Sequence, residues 1–316
     1  MVGETAVLLS GAIAGMMRKK LQAAKKEGSV TARATYEAEG DRHQLTLSSG
    51  ISLAYREWSP GKTPVLLLHG LGDHGLVWAE VASAWGDRYH CVAPDLRGHG
   101  ESSKPPTGYR CEDIIADLEG LMDHLGWSSA HVVAHSWAAK VAAIWARQRS
   151  PRFQSLVLVD PFFIGALPGW LKVTFPLLYR VLPFLQTMGP FPSYEAAEAK
   201  IRQLKQYQGW SPLQQAVFAQ AMTQKEDGTW GSKFVVQARD EVFEDVMQVA
   251  GLTEPLAVPT LFVQPEQGLN RRDWQFKPYR TYLSDLTWAV VPGNHWAFLV
   301  EPEPFAEAVG GFLAAH

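Results

Sequence analysis

Ser136 stands where the sequence predicts an exposed nucleophile. Residues 134–138 (AHSWA) lie where an apolar run of strand type ends and a helical pattern begins. A serine at such a turn adopts a strained backbone conformation that lifts its hydroxyl clear of the sheet. The turn, usually written G-x-S-x-G, needs small residues two positions on either side, and alanine satisfies that steric requirement here. These residues predict nucleophilic catalysis by Ser136.

The elements that must position this serine are short apolar runs that alternate with helical patterns. Alternating polar and apolar residues at 44–47 and 51–58 predict an antiparallel hairpin at a sheet edge. Continuous apolar runs, typical of strands buried on both faces, lie at 64–68, 89–93, 130–134, 155–159, 259–263 and 287–291. Helical spacing occurs at 112–125, 137–149 and 304–313. The pattern predicts an α/β fold with a mostly parallel central sheet flanked by helices.

About a hundred residues between two of these strands break the alternation. They are rich in Leu, Gln, Glu, Ala and aromatic residues, with prolines that separate short helical stretches. An insertion there would lie over the carboxyl ends of the strands, where open α/β sheets bind ligands. The predicted organisation is an N-terminal extension at 1–43, a core at 44–160 and 252–316, and an inserted helical cap at 161–251.

Two further motifs carry a resemblance to a known family. Residues 66–72 (LLLHGLG) form a strand that enters a His-Gly loop, and residues 95–102 (DLRGHGES) follow the next strand. Together with the turn at Ser136, the chain from about residue 44 to its C-terminus resembles the α/β-hydrolase superfamily. The resemblance implies a carboxylic ester hydrolase or a close relative, and a structural role for the loop at 95–102.

The resemblance also implies roles for three further residues. In this fold the His-Gly loop and the residue after the nucleophile each supply a backbone N–H to the oxyanion hole, which here means Leu71 and Trp137. The histidine that acts as base comes last in chain order, after the final core strand. His295, within residues 292–296 (PGNHW), occupies that position.

The acid partner departs from the family's usual pattern. Members generally carry an aspartate after the penultimate strand, but this sequence has Gly268 there. Some families with this fold hold the acid one strand after the nucleophile, where Asp160 follows residues 156–159. A carboxylate needs only to reach the histidine Nδ1–H, so we expect Asp160 to be the acid. Asp273 and Glu266 remain the alternatives.

Composition limits the partners, the cofactors and the compartment. The net charge of -3 gives no indication of a nucleic-acid partner. Neither metal-ligand spacing nor a nucleotide-binding loop occurs, so no cofactor is expected. Cys91 and Cys111 cannot form a disulfide framework, which favours a reducing compartment and a cytoplasmic location.

The N-terminus is apolar at 5–17 and basic directly afterwards. A secretory signal has the opposite order, and a membrane span needs about 20 apolar residues. The alternatives are peripheral contact with a membrane surface, or a helix that packs on its own protein or is partly disordered.

Aromatic residues follow Asp160 closely, among them Phe162, Phe163 and Trp170. They predict an apolar ceiling over Ser136 and a small hydrophobic substrate, although such aromatics also serve as the core of the insertion itself.

The sequence therefore predicts a cofactor-free serine hydrolase that cleaves a carboxylic ester of a hydrophobic substrate. Serine in place of aspartate argues against dehalogenase and epoxide-hydrolase chemistry, which forms an alkyl ester on a carboxylate. The alternatives are cleavage of a C–C or amide bond by the same residues, a ligand-binding or receptor protein on this fold, and a lipase at a membrane surface.

Overall fold

The computed structural model describes residues 36–174 and 188–316. The strands, in chain order, are β1 (Asp41–Thr46), β2 (Ser52–Trp58), β3 (Thr63–Leu68), β4 (Tyr89–Pro94), β5 (Ala130–His135), β6 (Phe153–Val159), β7 (Met222–Gln224), β8 (Trp230–Ser232), β9 (Thr260–Gln267) and β10 (Leu286–Asn294). The α-helices are α1 (Ala79–Trp85), α2 (Cys111–His124), α3 (Trp137–Gln148), α4 (Tyr194–Ile201), α5 (Pro212–Ala221), α6 (Val236–Gln248), α7 (Asp273–Tyr282), α8 (Ala297–Val300) and α9 (Pro302–Leu313). The apolar stretch at 5–17 and the basic residues after it lie outside the described ranges.

One eight-stranded sheet has the order β1-β2-β4-β3-β5-β6-β9-β10. Strand β2 runs antiparallel to β1 and to β4, and the remaining pairs are parallel. The sheet confirms the predicted α/β fold class, including the antiparallel hairpin at one edge. Because the carboxyl ends of parallel strands share one edge, the residues that follow β3, β5, β6 and β10 meet there.

Both faces of the sheet are covered, which explains the uninterrupted apolar runs. In β3, Leu66 and Leu68 belong to one buried cluster, with residues of α2 and α3. Val65 and Leu67 belong to the cluster on the other face, with residues of α1 and α9. Each fully buried Leu or Val contributes about 1.5–3 kcal/mol to folding, so this strand is a firm base for the loop that follows it.

The segment between β6 and β9 contains α4, α5 and α6, short 3-10 turns, and the antiparallel hairpin β7–β8. The sequence predicts helices here but not the hairpin, because three-residue strands are too short to show alternation. Its turn is fixed locally: Gly228 has φ +82°, and the side chain of Asp227 accepts hydrogen bonds from the backbone N–H and the hydroxyl of Thr229.

A buried lysine ties this inserted segment to the core. The ammonium group of Lys140, on α3, donates to the carbonyl oxygens of Phe163 (3.1 Å), Gly165 (2.6 Å) and Val246. Burial lowers the pKa of Lys140 to about 8. Since Val246 belongs to α6, this one side chain fixes both the start of the segment and its last helix against α3.

None of the helices in residues 36–174 and 188–316 combines the length and the hydropathy that crossing a bilayer requires.

Candidate active site

Ser136 occupies the turn between β5 and α3 in a strained conformation. Its φ of 58° and ψ of -119° are rare for a residue other than glycine, and such strain costs about 1–3 kcal/mol. Its N–H donates to the carbonyl oxygen of Val159 (3.0 Å), and its own carbonyl oxygen accepts from the N–H of Phe162 (3.1 Å). The end of β6 and the start of the inserted segment therefore hold the serine in place.

The His-Gly loop approaches this turn so closely that one position requires glycine. A Cβ on Gly70 would lie 2.5 Å from Nδ1 of His135 and 3.3 Å from Cβ of Ser136. His69 fastens the same loop: its Nδ1 donates to the carbonyl oxygen of Gly70 (2.8 Å), and its Nε2 accepts from the N–H of Leu96 (3.0 Å). Burial lowers the pKa of His69 to about 4, so the side chain is a neutral link between two loops.

The structure brings Ser136, His295 and Asp160 together in one hydrogen-bonded chain. Nε2 of His295 lies 3.0 Å from Oγ of Ser136, and Nδ1 of His295 lies 2.7 Å from Oδ2 of Asp160. The serine and the histidine are each 8% exposed, and the aspartate is fully buried. In this arrangement the histidine can take the serine proton while the carboxylate faces the opposite ring nitrogen.

Asp160 is surrounded by hydrogen-bond donors. Its carboxylate accepts from Nδ1 of His295, from the backbone N–H groups of Leu269 (2.7 Å) and Asn270 (3.2 Å), and from Nδ2 of Asn270 (2.8 Å). Burial alone would raise the pKa of Asp160, but the hydrogen bond and the charge of His295, with the other donors, hold it below its ordinary value. The group is therefore a buried carboxylate.

The glycine that replaces the usual aspartate has a physical explanation in this geometry. A Cβ on Gly268 would lie 2.6 Å from Oδ2 of Asp160, so the carboxylate from β6 fills the space in which a side chain at 268 would start. The alternative acids Glu266 and Asp273 are exposed. The carboxylate hydrogen-bonded to His295 is that of Asp160.

Leu71 and Trp137 line the same cavity as Ser136. Trp137 is the first residue of α3, where helix geometry leaves the backbone N–H without an intrahelical acceptor. In the part of the chain that the structure describes, the backbone N–H groups of Leu71 and Trp137 have no hydrogen-bond acceptor. Both groups are therefore available to an oxygen that enters the cavity.

The cavity beside Ser136 has a volume of about 230 Å³. One part of its wall is apolar and comes from Phe162 and from Val242, Phe243 and Val246 of α6. The remaining described residues that line it are Leu71, Asp73, His135, Trp137, Lys205, Gln267, Leu269, His295 and Trp296.

Of the three aromatic residues predicted to bind substrate, the structure brings Phe162 to this cavity. Phe163 lies instead against Lys140, whose Nζ is 5.5 Å from the ring centroid. Trp170 is 73% exposed, in a 3-10 turn. Neither Phe163 nor Trp170 is among the described residues that line the cavity, and a role for them in substrate binding stays a prediction.

Several residues of the cavity lining, and one that contacts Asp160, could not be predicted from the sequence. Val242, Phe243 and Val246 share one face of α6, a spacing that the sequence displays but that does not reveal what the face covers. Asn270 carries no motif, and its contact with Asp160 depends on how the chain folds after β9. Asp73 follows the His-Gly loop and was not singled out.

Asp73 is a second buried carboxyl group in the cavity. Its Oδ2 accepts from Nε1 of Trp296 (3.0 Å) and lies 4.0 Å from Nδ1 of His135. Burial raises the pKa of Asp73 to about 7, although the hydrogen bond from Trp296 acts in the opposite direction. Across residues 36–174 and 188–316 there is no group of three or more His, Cys, Asp or Glu side chains placed to hold a metal ion.

The family model for the alpha/beta hydrolase fold matches residues 63–302, and the chain belongs to this family. Among solved structures, E-2-(acetamidomethylene)succinate hydrolase superposes with a TM-score of 0.71 at 22% identity, covering 87% of this chain and 99% of the other. A marine microorganism esterase superposes with a TM-score of 0.68 at 20% identity, covering 82% and 98%. At these identities the structures show the fold.

Curated relatives carry several hydrolase names. A 2-(acetamidomethylene)succinate hydrolase from Mesorhizobium japonicum is 28% identical over 279 residues, which is 84% of this chain and 92% of the relative. A soluble epoxide hydrolase from Corynebacterium sp. (strain C12) is 31% identical over 43% of this chain and 46% of its own. A haloalkane dehalogenase from Bradyrhizobium diazoefficiens is 34% identical over 38% and 39%. This chain thus spans less than half the length of the last two.

Proposed function

We propose that this hydrolase cleaves a carboxylic ester of a small hydrophobic substrate through an acyl-enzyme on Ser136. The observation that carries the proposal is the chain of hydrogen bonds from Ser136 through His295 to the buried Asp160, which opens on a largely apolar cavity. A hydroxyl in contact with a base that is itself oriented by a carboxylate is the arrangement for nucleophilic catalysis of acyl transfer.

In the proposed mechanism, Oγ of Ser136 forms a bond to the ester carbonyl carbon while its proton passes to Nε2 of His295. The carbonyl oxygen becomes an oxyanion and accepts from the backbone N–H groups of Leu71 and Trp137. His295 then returns the proton to the leaving-group oxygen as the C–O bond breaks. A water molecule gives its proton to His295 and attacks the acyl carbon, which releases the acid and restores Ser136.

The apolar part of the cavity wall supports a preference for substrates with a hydrophobic acyl group. Phe162 and the face of α6 with Val242, Phe243 and Val246 lie beside the nucleophile, so burial of an acyl chain there would remove apolar surface from water. In this proposal the segment at 161–251 acts as a cap over the strand ends, held down by Lys140.

Serine at position 136 favours acyl transfer over the reactions named for two of the relatives. Epoxide opening and dehalogenation form an alkyl ester on a carboxylate nucleophile, and this chain presents a hydroxyl instead. Amide hydrolysis is a second candidate. It is supported by the relative named for 2-(acetamidomethylene)succinate, which this chain covers over 92% of its length.

The test is hydrolysis of 4-nitrophenyl esters of graded acyl length by the wild type, Ser136→Ala and Ser48→Ala. Ser48 is an exposed serine in the turn after β1 and serves as the matched control. We expect turnover that favours short and medium acyl chains and that disappears in Ser136→Ala alone. Turnover that survives in Ser136→Ala, or its absence with every ester, would contradict the proposal.

A further inference from the structure

The cavity has two unlike sides. Phe162 and α6 supply the apolar side, and the ring of Phe162 lies 6.1 Å from that of Phe243. Asp73, Lys205 and Gln267 supply polar groups to the rest of the lining. The same part of the lining also contains Leu71, Leu269 and Trp296, so the polar residues are few, and each is a candidate contact for a polar part of the substrate.

The polar residues gather around the segment that carries the base. Nδ2 of Asn294 donates to the carbonyl oxygen of Lys205 (2.9 Å), and Asn294 pairs in register with Gln267 across β9 and β10. Trp296 donates to Asp73. The polar side of the cavity is therefore the side of His295.

The position of the base decides which part of an ester lies there. In the proposed function, on which this inference rests, His295 returns a proton to the leaving-group oxygen, so that oxygen must come within hydrogen-bond reach of Nε2. The alcohol part of the ester then extends along the residues next to His295. The acyl part is left with the apolar side.

Asp73 is the residue on that side that is placed to bind a polar group of the substrate. It is 5% exposed, and Oδ2 is committed to Trp296. Within the described ranges, Oδ1 has no hydrogen-bond donor, and it is not one of the fully enclosed polar atoms. Since Asp73 lines the cavity, Oδ1 is open to accept a hydrogen bond from a ligand there, and a ligand that excludes water without supplying a donor would leave it unpaired. Its other neighbours are His135, at 4.0 Å, and Tyr207, whose pKa the charge of Asp73 helps to raise after the larger effect of burial.

We propose that Asp73 binds a hydroxyl group on the alcohol part of the substrate, through a hydrogen bond from that hydroxyl to Oδ1. The hydrolase would then be specific for esters that combine an apolar acid with a hydroxylated alcohol. Asp73 retains an acceptor oxygen in both protonation states, so the recognition does not require a permanently buried charge.

The hydrogen bond to Asp73 should make the enzyme discriminate strongly between esters that differ only in the presence of this hydroxyl hydrogen. Sites built to hydrogen-bond a substrate hydroxyl reject analogues that lack it, because the buried protein group is then left unpaired. We expect 2-hydroxyethyl butyrate to be hydrolysed with a kcat/KM on the order of tenfold or more above that of 2-methoxyethyl butyrate. The two esters share the acyl group and the position of the second oxygen.

Asp73→Asn replaces the acceptor oxygen Oδ1 that faces the cavity with an NH₂ donor. Trp296 requires an acceptor, so the amide oxygen stays with Trp296 and the NH₂ group turns to the cavity. A hydroxyl then loses its acceptor, while a methoxy oxygen gains a donor, and the ratio of the two kcat/KM values should fall to about one. Asp87→Asn, which removes an exposed carboxylate, is the control and should keep the wild-type ratio.

The experiment measures both esters at pH 8 with the wild type, Asp73→Asn and Asp87→Asn. A second pair, propyl 3-hydroxybutyrate and propyl butyrate, places the hydroxyl on the acid. Equal rates for the first pair in the wild type would overturn the inference, as would a loss in Asp73→Asn confined to the second pair. In both cases turnover that depends on Ser136 would leave the proposed function standing.

Binding of the first pair to Ser136→Ala, measured by calorimetry, gives the same comparison without turnover. Preferential binding of the hydroxyl ester that disappears in the double variant with Asp73→Asn supports the inference, and equal binding overturns it.

Discussion

Two buried carboxyl groups flank the candidate base, and their surroundings differ sharply. Asp160 lies behind His295 with that residue and Asn270 among its donors, and its pKa is held below the ordinary value. Asp73 lies in the cavity with one donor, from Trp296, and burial raises its pKa to about 7. Burial is nearly the same for the two groups. The difference in donors decides which is a fixed charge and which can exchange a proton near neutral pH.

The comparison separates two tasks at one site. A carboxylate that orients an imidazole must stay ionised through the reaction, and several fixed donors keep it so. A group that recognises a substrate needs an unused atom, which Asp73 has and Asp160 lacks. The predictions below test this contrast, from the largest expected effect to the smallest.

Asp160→Asn should lower kcat for a 4-nitrophenyl ester by about 10⁴-fold, because an amide favours the wrong tautomer of His295 and cannot stabilise the imidazolium. Steady-state kinetics measure the loss. Glu266→Gln and Asp273→Asn, at the two exposed alternatives, serve as controls and should change kcat little. A large loss in either control with a normal Asp160→Asn enzyme would assign the acid to another carboxylate.

Asn270→Ala removes a side-chain donor from Asp160 and leaves the backbone amides in place. With fewer donors the pKa of Asp160 rises, so activity should be lost at higher pH on the acid side of the pH profile. The expected result is a displacement of the acid limb of kcat/KM to higher pH relative to the wild type. An unchanged acid limb of kcat/KM would show that Asn270 does not control this carboxylate.

Asp73→Asn should stabilise the fold at alkaline pH only. The pKa of Asp73, about 7 in the folded chain, exceeds the ordinary 3.8, so the folded state holds the proton more tightly. Ionisation therefore costs stability progressively as pH rises from about 4 to above 7. Asparagine avoids that cost, and its Tm should exceed that of the wild type by several degrees at pH 8 and by nothing at pH 4. A difference independent of pH would contradict the raised pKa, and Asp87→Asn should show no difference at either pH.

Much of the core could be predicted from local sequence. Strands buried on both faces are continuous apolar runs, so the strands of the sheet could be predicted from the sequence. The strand ends that carry Ser136 and His295 could be predicted with them. The prediction of Asp160 as the acid required one further step, because Gly268 occupies the usual position of the acid and a carboxylate had to be sought after another strand. The structure gives the reason, because the carboxylate of Asp160 fills the space beside that glycine.

The cavity walls could not be predicted in the same way. Whether a face of α6 lies beside the nucleophile depends on how Lys140 anchors the inserted segment. The sequence gives no sign that this helical lysine is buried and donates to three carbonyl groups. Phe163 and Trp170 are aromatic and close in sequence to Asp160, but proximity along the chain did not bring them to the cavity. Asp73 is one polar residue among many until the fold buries it.

The central claim is that Ser136 is the nucleophile, and covalent labelling tests it most directly. The wild type, Ser136→Ala and Ser48→Ala are treated with a fluorophosphonate, and intact-protein mass spectrometry with peptide mapping identifies the modified residue. We predict a single phosphonyl adduct on Ser136 in the wild type and in Ser48→Ala, and no adduct in Ser136→Ala. An adduct on another residue, or labelling of Ser136→Ala at the wild-type rate, would contradict the account.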